Sequence, residues 1–235
     1  MAQQFEEVVF EYLKSIKPGE DILVEFTSNE PIHLLLDVLL KYLHRENIPV
    51  IIIDVLDHLN MFKAQLGVVG IDTALLENAY VVKIGGLSKT GNVMGEIPPT
   101  EELPIGVKKL HELFKKVPED FVFRVTLGLD KLLRYYEKEG SLEAFMGHLR
   151  KDSGESGRIR VFAVNRDIAP EEALSEMREL ASRVFDVELE EGRIKLTIVK
   201  SPNFAEYGEK LTVFAAGLQG YLRDQREVSD NLILT

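Results

Sequence analysis

The sequence predicts a single α/β domain over residues 1–235, three layers deep, with a mainly parallel sheet and an antiparallel C-terminal extension. Three observations carry this. Short apolar runs alternate with segments of helical period through most of the chain. The run PVIII at 49–53 is almost unbroken before Asp54, as in an interior parallel strand covered on both faces. Residues 184–189 and 193–199 alternate in period two around EEG at 190–192, which reads as a hairpin.

Residues 5–15 place Val8, Val9, Tyr12 and Leu13 at helical spacing, and KPG at 17–19 stops that helix. DILVEF (21–26) is a short strand. The stretch SNEP at 28–31 then supplies capping residues and a first-turn proline for a helix from 31 to about 46. Its apolar positions 32, 35, 36, 39, 40 and 43 keep the helical period, and Leu34 and Val38 widen the stripe, so it is expected to be heavily buried. Two strands joined by such a helix form a right-handed crossover. The alternation continues with strands at 80–84, 121–125 and 158–164, and helices at 102–116, 130–139 and up to about 150. Another helix starts at APE (169–171) and carries Leu174, Met177, Leu180 and Ala181. The segment KDSGESGR (151–158) reads as a polar loop. From Phe204 on, Leu211, Phe214, Leu218 and Leu222 fit a helix while LTVF (211–214) fits a strand, and a terminal strand is preferred.

The chain has no cysteine, which excludes disulfides, a thiol nucleophile and zinc thiolates. Its net charge of −11 would repel a phosphate backbone, and no basic cluster denser than the pairs 108–109 and 115–116 offsets it, so no nucleic-acid partner is expected. The apolar run 32–43 is broken by His33, Asp37 and Lys41, so no membrane span is expected and a cytoplasmic location follows by default. The absence of cysteine and the abundance of charge suit a hyperthermophile.

The segment GGLSKTGNVMG (85–95) looks like a scrambled phosphate-binding loop. With Lys89 and Thr90 as the final pair of a Walker motif, the two glycines would fall on Lys83 and Ser88. The prolines at 98 and 99 leave no helix whose N-terminus faces the segment, which therefore reads as a glycine-rich turn ending a strand. The five histidines form no HExxH pair, Ser88 is not in a GxSxG motif, and no GxGxxG is present, so no cofactor, metal or catalytic residue is assigned. Arg124, inside an apolar strand, reads as an edge or partner-facing side chain that snorkels or forms a salt bridge, with an anion-binding role as the alternative.

The order of elements over about residues 15–200 resembles the RecA-like ATPase core, and in particular its KaiC-type branch. The stretch 15–54 carries the resemblance: a glycine lead-in, a strand, a loop, a long helix, then an apolar strand ending in an acid. Laid on the Walker A motif without gaps, FTSNEPIH (26–33) puts Phe26 and Pro31 in the glycine positions, Ile32 in the lysine position and His33 in the hydroxyl position. KaiC-type proteins carry adjacent glutamates after the second strand, where this chain has Asp54 and Asp57. Their Walker B strand ends in a metal-coordinating aspartate, where FVFRVTLGLDKLL (121–133) offers Thr126, with Asp130 one turn downstream. The stretch 181–201 is similar to the late KaiC hairpin ending in IVK. The chain also resembles a small uncharacterised family of hyperthermophilic archaeal proteins with the same GG…GN..G segment.

The resemblance implies a RecA-like fold with a degenerate P-loop, hence a pseudo-ATPase. Charge-assisted hydrogen bonds are each worth about 1.5–3 kcal/mol. Loss of the lysine and both glycines removes about 5 kcal/mol, a thousandfold or more in nucleotide affinity. The expected function is a binding or scaffold protein that engages a peptide, a partner protein or, as a homo-oligomer, itself. Its candidate groove is Phe26, Thr27, Ser28, Asn29, Glu30, Pro31, Ile32 and His33, and a second candidate ligand site at the strand ends is Asp54, Asp57 and Thr126. Two alternatives remain: a noncanonical nucleotide or small-anion site using Thr27, Ser28 and the amides before the helix, or an enzyme of unrelated chemistry built on Asp54, Asp57 or a histidine.

Overall fold

The computed structural model describes residues 2–233, with side chains to residue 225. In chain order the elements are α1 (Ala2–Lys14), β1 (Asp21–Phe26), α2 (Ile32–Arg45), β2 (Val50–Val55), α3 (His58–Val68), α4 (Ala74–Asn78), β3 (Tyr80–Ile84), β4 (Asn92–Ile97), α5 (Leu103–Phe114) and β5 (Val122–Leu127). They continue with α6 (Leu129–Lys138), α7 (Leu142–Lys151), β6 (Arg158–Asn165), α8 (Glu171–Leu180), β7 (Arg183–Glu190), β8 (Arg193–Lys200), β9 (Lys210–Phe214) and α9 (Ala215–Ile233).

The described strands form one sheet in the order β4-β3-β2-β5-β6-β1-β7-β8-β9. Pairing is parallel from β4 to β7 and antiparallel across β7, β8 and β9. Side chains alternate between faces along each strand, so consecutive residues serve two cores. Ile22, Ile52, Val125, Val161 and Phe185 meet α1, α2, α3 and α9 on one face. Leu23, Val55, Phe162 and Val164 meet α6, α7 and α8 on the other, where Ile51, Ile53 and Val82 also meet α5. Helix α2 is buried on most sides, from Ile32 and Leu34 to Tyr42 and Leu43, as its widened apolar stripe requires. Two of the charges that face inward are paired across elements: Asp21 holds Arg160 through two bonds of 2.5 Å, and Glu25 holds Arg178 at 2.7 and 2.8 Å. Among the described residues, no helix is long and apolar enough to cross a membrane.

Three segments differ from the sequence reading. The glycine-rich turn ends at Gly91, and NVMGEI (92–97) becomes strand β4, paired with β3 through a register shift at Val81/Val82. Gly95 permits this, because a Cβ there would collide with Leu113 of α5, which lies over the strand. Helix α3, which has no counterpart in the sequence reading, buries His58, Leu59, Phe62 and Leu66. The tail satisfies both of its patterns in succession: Lys210–Phe214 pairs with β8, and α9 then packs Leu218 and Leu222 into the core.

Candidate functional site

The turn joining β1 to α2 lies at the carboxyl ends of the parallel strands, where open α/β sheets bind ligands. Phe26, Thr27, Ser28, Glu30, Ile32 and His33 form one wall of a cleft of about 220 Å³, and His58, Phe62, Lys131 and Asn165 line the rest. Phe26 and Ile32 are buried at its floor. Asn29 and Pro31 complete the turn without lining the cleft.

The amides of this turn are already engaged. Thr27 donates to the Glu30 carboxylate, and Ser28 donates to Asp167 at 2.9 Å. The Asn29 amide reaches the Thr27 hydroxyl at 3.5 Å, that of Glu30 the Thr27 carbonyl at 3.4 Å, and that of Ile32 the Glu30 carbonyl at 2.9 Å. Pro31 has no amide hydrogen to offer. The Ser28 hydroxyl accepts from Asn165 at 3.0 Å. Two carboxylates, Glu30 and Asp167, thus occupy donors of the kind that cradle anions at a helix N-terminus. The bonds from Ser28 also hold the Asp167 carboxyl below its ordinary range.

The far wall is shaped by a tight packing contact. Gly128, at φ +78°, has no room for a Cβ because the His58 ring and the Val55 carbonyl lie against it. His58 Nδ1 sits 2.7 Å from that carbonyl, which fixes the ring. Asp130 is 1% exposed and its Oδ2 has no hydrogen-bond partner among the described residues. Burial raises its pKa, and the neighbouring His58 offsets that in part. Burial likewise lowers the pKa of His33.

Asp54 and Asp57 come together, around a lysine that sequence reasoning passed over. Lys83 of β3 lies in register with Asp54 of β2 and is 2% exposed. Its ammonium meets Asp54 at 3.2 Å and also contacts Asp57. Asp54 caps α3 by accepting the Leu59 amide at 2.9 Å. Asp57 instead accepts from the Leu87 amide at 2.6 Å, the Ser88 amide at 3.1 Å and the Ser88 hydroxyl at 2.7 Å. Burial alone would raise its pKa, but the bonds from Lys83, Leu87 and Ser88 outweigh this and hold the carboxyl far below the usual range. The start of GGLSKTGNVMG is therefore a loop clamped by Asp57, and Gly86 is glycine because a Cβ would collide with that carboxylate.

The fold does not bring Thr126 to these aspartates. Thr126 follows the parity of Arg124 and lines a separate cavity with Leu110 and Phe114, on the α5 side of the sheet. Arg124 is neither at an edge nor salt-bridged: β5 is the fourth strand in the sheet, and the guanidinium stacks on Phe114 at 4.0 Å. Asp167, Lys131 and Asn165 escaped the sequence reading because they reach the turn and its cleft from two other segments, α6 and the end of β6. Lys83 did leave a signal, as a lone charge in an apolar strand beside a strand ending in Asp54.

Sheet order, layering and a strand-end cleft define an α/β protein of RecA/KaiC-like fold. A solved KaiC-like protein, PH0186 from the hyperthermophilic archaeon Pyrococcus horikoshii OT3, is similar at TM-score 0.61 and 12% identity, over 82% of this chain and 84% of that one. A second solved structure, studied as Project ID PH0250 from Pyrococcus horikoshii OT3, is similar at TM-score 0.71 and 24% identity, over 85% and 95% of the two chains. The chain belongs to the family described as Pyrococcus protein of unknown function, DUF257, which matches residues 11–212. No curated protein matches it.

Proposed function

We propose that this chain is a cytoplasmic, non-catalytic protein of KaiC-like fold, a binding or scaffold protein whose degenerate P-loop does not take a nucleotide. The observation that carries this reading is the engagement of the Thr27 and Ser28 amides by Glu30 and Asp167. To seat a triphosphate there, two charge-assisted bonds worth about 1.5–3 kcal/mol each would have to break. The phosphates would then face two carboxylates with Ile32 in place of a lysine. The same engagement disfavours a small-anion site on Thr27 and Ser28. The saturation of Asp54 and Asp57 by Lys83, Leu59, Leu87 and Ser88 likewise disfavours an enzyme built on the two aspartates.

The ligand in this reading is a peptide, a partner protein or a second copy. The end of the sheet at β9 supports it: among the described residues β9 pairs with β8 alone, and Phe204, Tyr207 and Phe214 are exposed around it. An unpaired strand edge beside apolar side chains suits strand addition. Calorimetric titration with ATP and ADP in the presence of Mg²⁺ should give no binding heat, and micromolar affinity would contradict the proposal. Light scattering then separates self-association from the engagement of another protein.

A further inference from the structure

The cavity on the α5 side contains an arginine that makes no hydrogen bond or ion pair with another described residue. It lies between β5 and the helices α5, α6 and α7, has a volume of about 80 Å³, and is walled mostly by apolar side chains, among them Leu110, Leu132 and Phe145. Arg124 and Arg160 occupy paired positions on β5 and β6 and face the same layer, but their surroundings differ. Arg160 is saturated by Asp21, by the Leu149 carbonyl at 3.0 Å and by the Ser153 hydroxyl at 2.9 Å. Arg124 has only the Phe114 ring. It makes no hydrogen bond or ion pair with another described residue, and its Nε is buried without a partner. Burial, with repulsion from Arg158 and Arg160, brings its pKa down to about 10, and Asp152 offsets this in part. It is therefore still charged at neutral pH. The Thr126 hydroxyl, two residues along the same strand and on the same wall, also has no partner among the described residues.

A half-buried guanidinium whose Nε is shut away from water without a partner is costly, and one ring contact offsets only part of that cost. The complementary group is a planar carboxylate, which an arginine holds through two parallel bonds. The carboxylate of Asp152, 3.0 Å from His111, also lines the cavity and disfavours a dianion such as phosphate. The volume sets the length of the ligand, because a dry cavity of roughly 150 Å³ accepts benzene and this one is smaller.

We propose that this cavity binds a short aliphatic monocarboxylate, acetate or propionate, with its carboxylate on Arg124 and Thr126 and its alkyl group against Leu132 and Phe145. The site lies on the opposite side of the sheet from the α2–α3 cleft and is independent of the reading given for that cleft.

Titration of the protein with propionate labelled with ¹³C at the carboxyl carbon, followed by NMR, tests this. A saturable shift is expected, displaced by acetate and unaffected by 1-propanol, which has the tail without the charge. Arg124→Met should abolish it, and Thr126→Val should weaken it about tenfold, the effect of one lost charge-assisted hydrogen bond. No saturation with the wild-type protein, or unchanged affinity in a folded Arg124→Met protein, would overturn the proposal. If Arg124→Met does not fold, Thr126→Val decides: weakened binding supports the site, and unchanged binding overturns it.

Discussion

The carboxylate of Glu30 accepts the amide of Thr27, three residues back in the same turn. The turn between β1 and α2 therefore carries its own anion. Glu30 also reaches the Leu189 amide at 3.4 Å, so the same side chain ties the turn to the C-terminal hairpin. Glu30→Ala should cost about 1–2 kcal/mol in urea unfolding, the range for a lost charge-assisted cap. It should not create ATP binding, because Asp167 still holds the Ser28 amide and no lysine is supplied.

The Lys83 cluster predicts a non-additive pair of substitutions. Lys83→Met leaves Asp54, which is fully buried, without its counter-ion, and should destabilise the protein by about 3–5 kcal/mol. Adding Asp54→Asn should recover much of that loss, since the uncompensated charge is then gone while the side chain can still accept the Leu59 amide. Urea melts of the two single variants and the double variant measure the coupling. Simple additivity would show that the pair does not act as a unit.

Acid should weaken the fold through Glu206 and Asp57. Burial would raise the pKa of Glu206, but hydrogen bonds from Ser201, Tyr12 and Asn203 and the charge of Arg183 hold it down to about 2. Because the folded value lies below the unfolded one, its contribution is complete above about pH 4.5 and is lost as pH falls toward 2. Asp57 adds a loss of the same sign. The denaturation midpoint should therefore fall across this window, and Glu206→Gln should flatten the slope.

Strands β1 and β3 were legible in the sequence to the residue, because each is a short, mostly apolar run, DILVEF and YVVKI, set between turn or helix signals. Helix α2 was legible for the matching reason, its apolar stripe being bounded by Pro31 at one end. Helix α3 was not: its four buried positions are interspersed with Asn60, Lys63 and Gln65, and Gly67 and Gly70 interrupt its end. Strand β4 was hidden because Gly95 and Gly91 read as turn residues, when Gly95 is small to admit Leu113 and Gly91 to clear Val81. For the cleft, the sequence singled out residues 26–33, of which Phe26, Thr27, Ser28, Glu30, Ile32 and His33 line it. It could not show that Asp167, 139 residues away from Ser28, closes the turn, since such a contact leaves no local pattern. Nor could spacing reveal that Thr126 faces the layer opposite Asp54, because the relative parity of two paired strands is settled only by their register.

Amide NMR of residues 27–30 on addition of Mg²⁺-ATP at millimolar concentration reads the occupied donors themselves. With Glu30 and Asp167 in place, the Thr27, Ser28 and Asn29 resonances should stay where they are throughout the titration. Saturable shifts confined to those amides would mean that phosphate displaces the carboxylates, and the turn would then have to be regarded as a working nucleotide seat.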